Sequence, residues 1–223
     1  MGKNNSNSKK KNGNGKTWRK AVQSAMCEAT EREALRRYGT KEPAFNYRWE
    51  HVTAVVTLAI KLANLTGADR DVVEAAAWLH DVRKETGEKH PVEGAKFARK
   101  LLSKTDFPSK KIDKVARAIE DHMGLWRDKP LKRLESQVLW DADKLAKIGI
   151  TAVFHWLGGD FSKKKPLTTQ DIITRAQSNG WLEKTVNSMH TAPAKKAARR
   201  RFAAFNNLWT QLEEELSGGD LGN

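Results

Sequence analysis

Residues 75–91 read AAAWLHDVRKETGEKHP. A run of small apolar residues ends in the adjacent pair His80 and Asp81, two cations follow at Arg83 and Lys84, and a second histidine, His90, precedes Pro91. Asp69 is a suitable N-cap for a helix through Val72, Val73, Ala76, Ala77 and Leu79, which reaches His80 and breaks near Gly87. The alanines permit close packing by neighbouring helices. An imidazole and a carboxylate at the end of such a buried helix need partners, because an isolated charge in apolar surroundings loses its hydration.

Helical punctuation continues on both sides. A first helix is expected over Trp18 to Tyr38, stopped by Gly39 with Pro43 beyond, and a second over about Tyr47 to Leu65, ending before Gly67. Pro91 suits the first turn of a fourth helix ending near Lys104, and Pro108 opens a fifth whose stripe Ile112, Val115, Ile119 leads to His122. A sixth helix from about Leu131 carries Leu134, Val138, Leu145 and Ile148, and its segment LWDADKLAKIG sets Asp141 and Asp143 in an apolar surface. Beyond Gly158 and Gly159 come FSKKKP, a polar helix from about Thr168, and a last helix from about Pro193 that opens with KKAARRR. No convincing strand alternation or internal repeat interrupts this pattern. The expected fold is all-α: a disordered basic tail over 1–16, a helical core over 17–160, and a helical extension of the same domain over 161–223.

The chain has 223 residues, 39% of them hydrophobic, which is enough for one substantial core. Eight tryptophans argue against general disorder. A single cysteine, Cys27, excludes an intramolecular disulfide, and no apolar run is long enough to span a bilayer. These features predict a soluble cytoplasmic protein with no membrane partner. The formal charge of +14 favours polyanionic partners, nucleotides or nucleic acid among them, although the tail from Met1 to Lys16 accounts for part of it and basic tails often serve solubility.

His51 in helix two, His80 and Asp81 ending helix three, His122 in helix five, and Asp141 and Asp143 in helix six all fall on apolar faces. One histidine on such a stripe is ordinarily a hydrogen-bonded core residue. Four helices each delivering a ligand-type residue are better explained by a divalent metal, and imidazole mixed with carboxylate suits Mn, Fe, Ni, Co or Zn. Periodicity alone favours Asp141 over Asp143, since Asp141 lies on the more continuous apolar stripe.

The order His51, then His80-Asp81, then a late aspartate in ADKL resembles the HD-domain superfamily of metal-dependent phosphohydrolases over roughly Tyr47 to Phe154. AAAWLHDVRK looks like its helix-ending signature and DADKLAKIG like its closing motif. The resemblance implies an HD-type helical bundle in which His51, His80, Asp81 and Asp143 hold a metal, with Asp141 as a supporting or substitute ligand. It implies that His90 and His122 hold a second metal or contact substrate phosphate. Lys84, and less directly Arg83, would face that phosphate; Glu85 is left unassigned, and His155 is a further basic group near the closing motif. The ion expected is manganese first, with Ni, Co, Fe, Zn or Mg as alternatives, one or two per chain. A bound ion lowers the pKa of its water toward about 7 and polarises a phosphoryl oxygen.

The activity so implied is hydrolysis of a phosphate ester or anhydride, most readily of a nucleotide, with Asp81 and Lys84 as the catalytic pair. Alternatives are a phosphodiesterase or nuclease acting on single-stranded nucleic acid or a cyclic nucleotide, an iron oxygenase on the same scaffold, and a basic nucleic-acid-binding module with an inactive core. Neither the oligomeric state nor the base, sugar or phosphate count of the substrate is written in these motifs.

Overall fold

The computed structural model describes residues 17–163, 167–178 and 180–222; the basic tail expected over 1–16 and residues 164–166 of FSKKKP lie outside them. Among the described residues every regular element is helical: α1 (Trp18–Tyr38), α2 (Tyr47–Thr66), α3 (Arg70–Leu79), α4 (His90–Leu102), α5 (Ile112–Asp121), α6 (Leu134–Leu145), α7 (Ile150–Phe161), α8 (Thr169–Gln177), α9 (Trp181–Asn187) and α10 (Ala192–Ser217), with short 3-10 turns at Lys84–Lys89, Ser109–Lys111 and Gly219–Leu221. The all-α expectation is met.

Helix α3 is the centre of the bundle. Asp69 caps it by accepting from the Val72 amide, and Ala75, Ala76, Ala77 and Leu79 are fully buried. With methyl groups in place of larger side chains, α2, α5 and α6 pack directly on it, while α1 lies across α2, α3 and α4. One apolar cluster extends from Trp18 through Trp140 to Trp209. Each fully buried Val or Leu in it contributes roughly 1.5–3 kcal/mol, so the residues around α3 carry much of the fold.

The C-terminal half departs from the expected helix count. The sixth helix stops at Leu145, and a separate helix α7 begins at Ile150. Between them Gly149 has φ +89°, and a Cβ there would come within 2.9 Å of the Arg201 side chain, so both the turn and the approach of α10 require glycine. The pair Gly158 and Gly159 lies inside α7 and does not end it; a Cβ on Gly158 would meet the Phe45 ring at 2.6 Å. There glycine serves close packing.

Candidate metal centre

Histidines 80, 90 and 122 share one local device. In each the ring Nδ1 meets the carbonyl three residues earlier: Ala77 at 2.8 Å, Gly87 at 2.5 Å and Ile119 at 2.5 Å respectively. A carbonyl only accepts, so Nδ1 carries the proton and Nε2 of the neutral ring is a bare lone pair. His80 and His122 are the residues that cap the ends of α3 and α5, and His90 opens α4. For His80 and His122 a helix end supplies the carbonyl, because its last C=O groups lack intrahelical partners, whereas for His90 the kink at Gly87 does.

The bare nitrogens converge with the carboxylates in two buried groups, His51 with His80 and Asp143, and Asp81 with His90 and His122; within each group the ligand atoms lie within 4.8 Å of one another. His51 Nε2 is 3.1 Å from Asp143 Oδ1, and His80 Nε2 is 3.9 Å from the same oxygen. Asp81 joins the groups. Its Oδ2 is 3.6 Å from His80 Nε2, while its Oδ1 is 3.4 Å from His90 Nε2 and 3.7 Å from His122 Nε2.

This arrangement places acceptors against acceptors. His90 Nε2 and His122 Nε2 are 3.2 Å apart, and His51 Nε2, His80 Nε2 and Asp81 Oδ1 are buried without a hydrogen bond. Buried polar atoms are normally paired, and buried lone pairs facing one another call for a cation. Imidazole nitrogen with carboxylate oxygen is a donor set that fits a divalent transition metal.

Fixed cations surround the carboxylates. Buried Arg48 pairs with Asp81 Oδ2 and with Glu33 at 2.8 Å. Lys144 and Lys147 both pair with Asp143, and Lys144 also donates to the His122 carbonyl at 3.0 Å. Burial alone would raise both carboxyls, but Arg48 beside Asp81, and Lys144 and Lys147 beside Asp143, hold them well below the usual range. Burial pushes Lys144 down to about 8. Sequence reasoning missed these three cations; the signal available was their spacing, Arg48 three residues before His51 and Lys144 and Lys147 one and four after Asp143.

Burial, aided by neighbouring cations or imidazoles, also pushes the histidines down from 6.5: His51 and His90 to about 4, His80 to about 3. The unfolded chain therefore takes up protons on these rings near pH 6.5, whereas the folded chain does so only near pH 4 for His51 and His90 and near pH 3 for His80. The carboxyls, depressed on folding, act with the same sign at lower pH. The metal-free protein is expected to lose stability steadily as pH falls from about 6.5 to 4. Thermal melts at pH 7 and pH 5 check this; a higher melting temperature at pH 5 would contradict it.

The other residues singled out from the sequence lie apart to different degrees. Lys84 Nζ, partly exposed, is 3.2 Å from Asp81 Oδ1 and 3.2 Å from His90 Nε2, at the rim of the second group. Arg83 is directed elsewhere, with its guanidinium over the Phe97 ring at 4.8 Å and Glu85 at 3.4 Å. Asp141 belongs to neither group. Its oxygens accept from the His190 amide (2.9 Å) and Nδ1 (3.1 Å) and from the Thr191 amide (2.8 Å) and hydroxyl (2.8 Å), which anchors the start of α10.

A family model described as the HD domain matches residues 48–148, the span that holds all six clustered side chains. The whole fold is similar to solved structures. Bacillus subtilis YpgQ in complex with ADP aligns with a TM-score of 0.62 at 23% identity, covering 90% of this chain and 97% of that one. A predicted HD superfamily hydrolase from an uncultured Thermotogales bacterium gives 0.61 at 22% identity, with 88% and 92% covered. An HD-superfamily hydrolase from Bacillus thuringiensis gives 0.60 at 19% identity, with 90% and 99% covered. No helix among the described residues is long and apolar enough to cross a membrane. Residues 48–148 therefore match the HD domain, and the fold around them is similar to that of these solved structures.

Proposed function

We propose that this protein is a metal-dependent phosphohydrolase that cleaves a phosphate ester or anhydride of a nucleotide, with manganese as the first choice of ion. The observation that carries this reading is the meeting of two buried groups of imidazole and carboxylate ligand atoms on the single carboxylate of Asp81. His51, His80, Asp81 and Asp143 would hold one ion, and Asp81 with His90 and His122 a second. Such ions supply Lewis acidity and an acidified water. In the reaction a water oxygen forms a bond to phosphorus as a P–O bond to the leaving group breaks. Asp81 orients that water, and Lys84 neutralises charge on the phosphoryl oxygens. The complex of YpgQ with ADP supports a nucleotide as the substrate class. Within this reading residues 17–160 form the catalytic core and residues 161–223 close its flank.

Metal analysis of the purified protein, then a screen of nucleotides, pyrophosphate and oligonucleotides with added Mn, Mg, Ni or Co, tests the reading; no turnover of any phosphate compound with the metal bound would refute it. The exposed run Lys195, Lys196, Arg199 and Arg200 on α10 favours single-stranded nucleic acid as the competing substrate. Cleavage of oligonucleotides with nucleotides untouched would select it. Lys84→Ala is expected to raise KM for the phosphate substrate about tenfold or more while leaving metal content unchanged, because Lys84 borders the ligand atoms without being one. Loss of metal in that variant would overturn the assignment.

A further inference from the structure

Beside the metal-binding groups lies a second feature that the phosphohydrolase reading leaves unused. Helices α7, α9 and α10 close with Tyr47 and the segment after α5 around a cavity of about 290 Å³, near the lower end of small-molecule sites. The rings of Tyr47, Trp156 and Phe205 and the side chain of Leu125 line it. Leu125 is held there by its carbonyl, which accepts from the Thr185 hydroxyl of α9 at 2.8 Å. Two of the wall residues also touch the metal-binding groups. Tyr47 stacks nearly parallel on His51 (ring centroids 6.1 Å apart, 4° between planes), and Lys147 pairs with Asp143. An occupant of the cavity therefore has one end next to His51 and Asp143.

The cations in the wall are already paired. Lys147 is committed to Asp143, while Arg175 pairs with Asp160 and lies over the Trp156 ring at 4.5 Å. That leaves little for a phosphate in the cavity itself. His155 on α7 differs: its half-buried ring lines the cavity, and no hydrogen bond holds its Nδ1, which packs into the wall. An aromatic-walled cavity with an imidazole in its wall suits a flat ring with a hydrogen-bonding edge.

Building on the nucleotide reading, we propose that this cavity is the nucleobase site, with the base lying among Tyr47, Trp156 and Phe205 and its polar edge bonded to the His155 imidazole while its phosphates extend past Lys147 to the metal-binding residues. Burial lowers the pKa of His155 from 6.5, so near neutral pH its ring offers one donor and one acceptor. It can therefore pair with either kind of base edge. The sequence placed His155 among possible phosphate contacts; the cavity assigns it to the other end of the same molecule.

The test is calorimetric titration of the full-length, metal-free protein with the four common ribonucleosides and with pyrophosphate. At least one nucleoside is expected to bind saturably at millimolar concentration or below, His155→Phe to weaken that binding at least tenfold, and His155→Gln to recover part of it. Manganese binding and helical circular dichroism, read on the same samples, report whether each variant is folded. Absence of nucleoside binding by the wild type, equal binding by a folded His155→Phe protein, or displacement of the nucleoside by pyrophosphate from the same site would overturn the proposal. A wild type that binds nucleosides but hydrolyses no nucleotide with any metal would sustain the base site and defeat the phosphohydrolase reading, so the two fail separately.

Discussion

Asp81→Ala protein is expected to bind no divalent metal at either group and to hydrolyse at background rate. The reason is geometric: Oδ2 faces His80 and Oδ1 faces His90 and His122, so one truncation removes a ligand atom from both. Asp143→Ala removes a ligand atom from the His51 and His80 group alone, and that variant is expected to keep metal at the other group. Atomic absorption on the wild type and both variants measures the difference. Equal metal content in wild type and Asp81→Ala would defeat the two-group reading. The fold should survive. Removing one partner of a buried pair can cost about 3–5 kcal/mol when the other is left alone, but Arg48 keeps Glu33 at 2.8 Å. The helical circular dichroism of Asp81→Ala is accordingly expected to match the wild type.

Asp141→Ala is expected to do the opposite, lowering stability while leaving metal binding intact. This carboxylate accepts four hydrogen bonds, and its loss strands the His190 and Thr191 amides at the start of α10. Hydrogen bonds to a charged acceptor contribute about 1.5–3 kcal/mol each and do not add fully, so a loss of about 3 kcal/mol or more is expected. For a chain of this size that corresponds to a fall in melting temperature of roughly 6–12 °C. His190 is also tied to the segment before α6, its Nε2 accepting from the Leu131 amide at 3.0 Å, so loosening it frees two segments at once. A variant with wild-type melting temperature and lost metal would reverse these roles.

These two aspartates also show how far sequence reading reaches. Both lie in LWDADKL on an apolar surface, and periodicity favours Asp141 as the ligand whereas the likeness to the HD superfamily favours Asp143. Positions two apart on a helix diverge by about 200°, so one faces α2 and α3 and the other faces the start of α10. Which is which depends on where α10 docks, and that contact is made by residues some fifty positions later. Distance in sequence also hid Arg48 as the partner of Asp81, 33 residues away, and the break at Gly149, whose need for glycine arises partly from Arg201, whereas Lys144 and Lys147 stand within four residues of Asp143 and were legible from spacing alone.

By itself the sequence determined the all-helical class, the bounds of α1 at Trp18 and Tyr38, the cap at Asp69, and the set of histidines and aspartates on buried faces. These depend on apolar period, capping groups and glycine stops, all of which act within a few residues. The tertiary structure decided what required distant chain segments to meet: the junction of two ligand groups on Asp81, the diversion of Arg83 to Phe97 and of Asp141 to α10, and the cavity whose wall His155 shares with Tyr47 and Phe205. A side chain's type and helical face are local properties, but its partner is set by the packing of whole helices against one another, which no short stretch of sequence encodes.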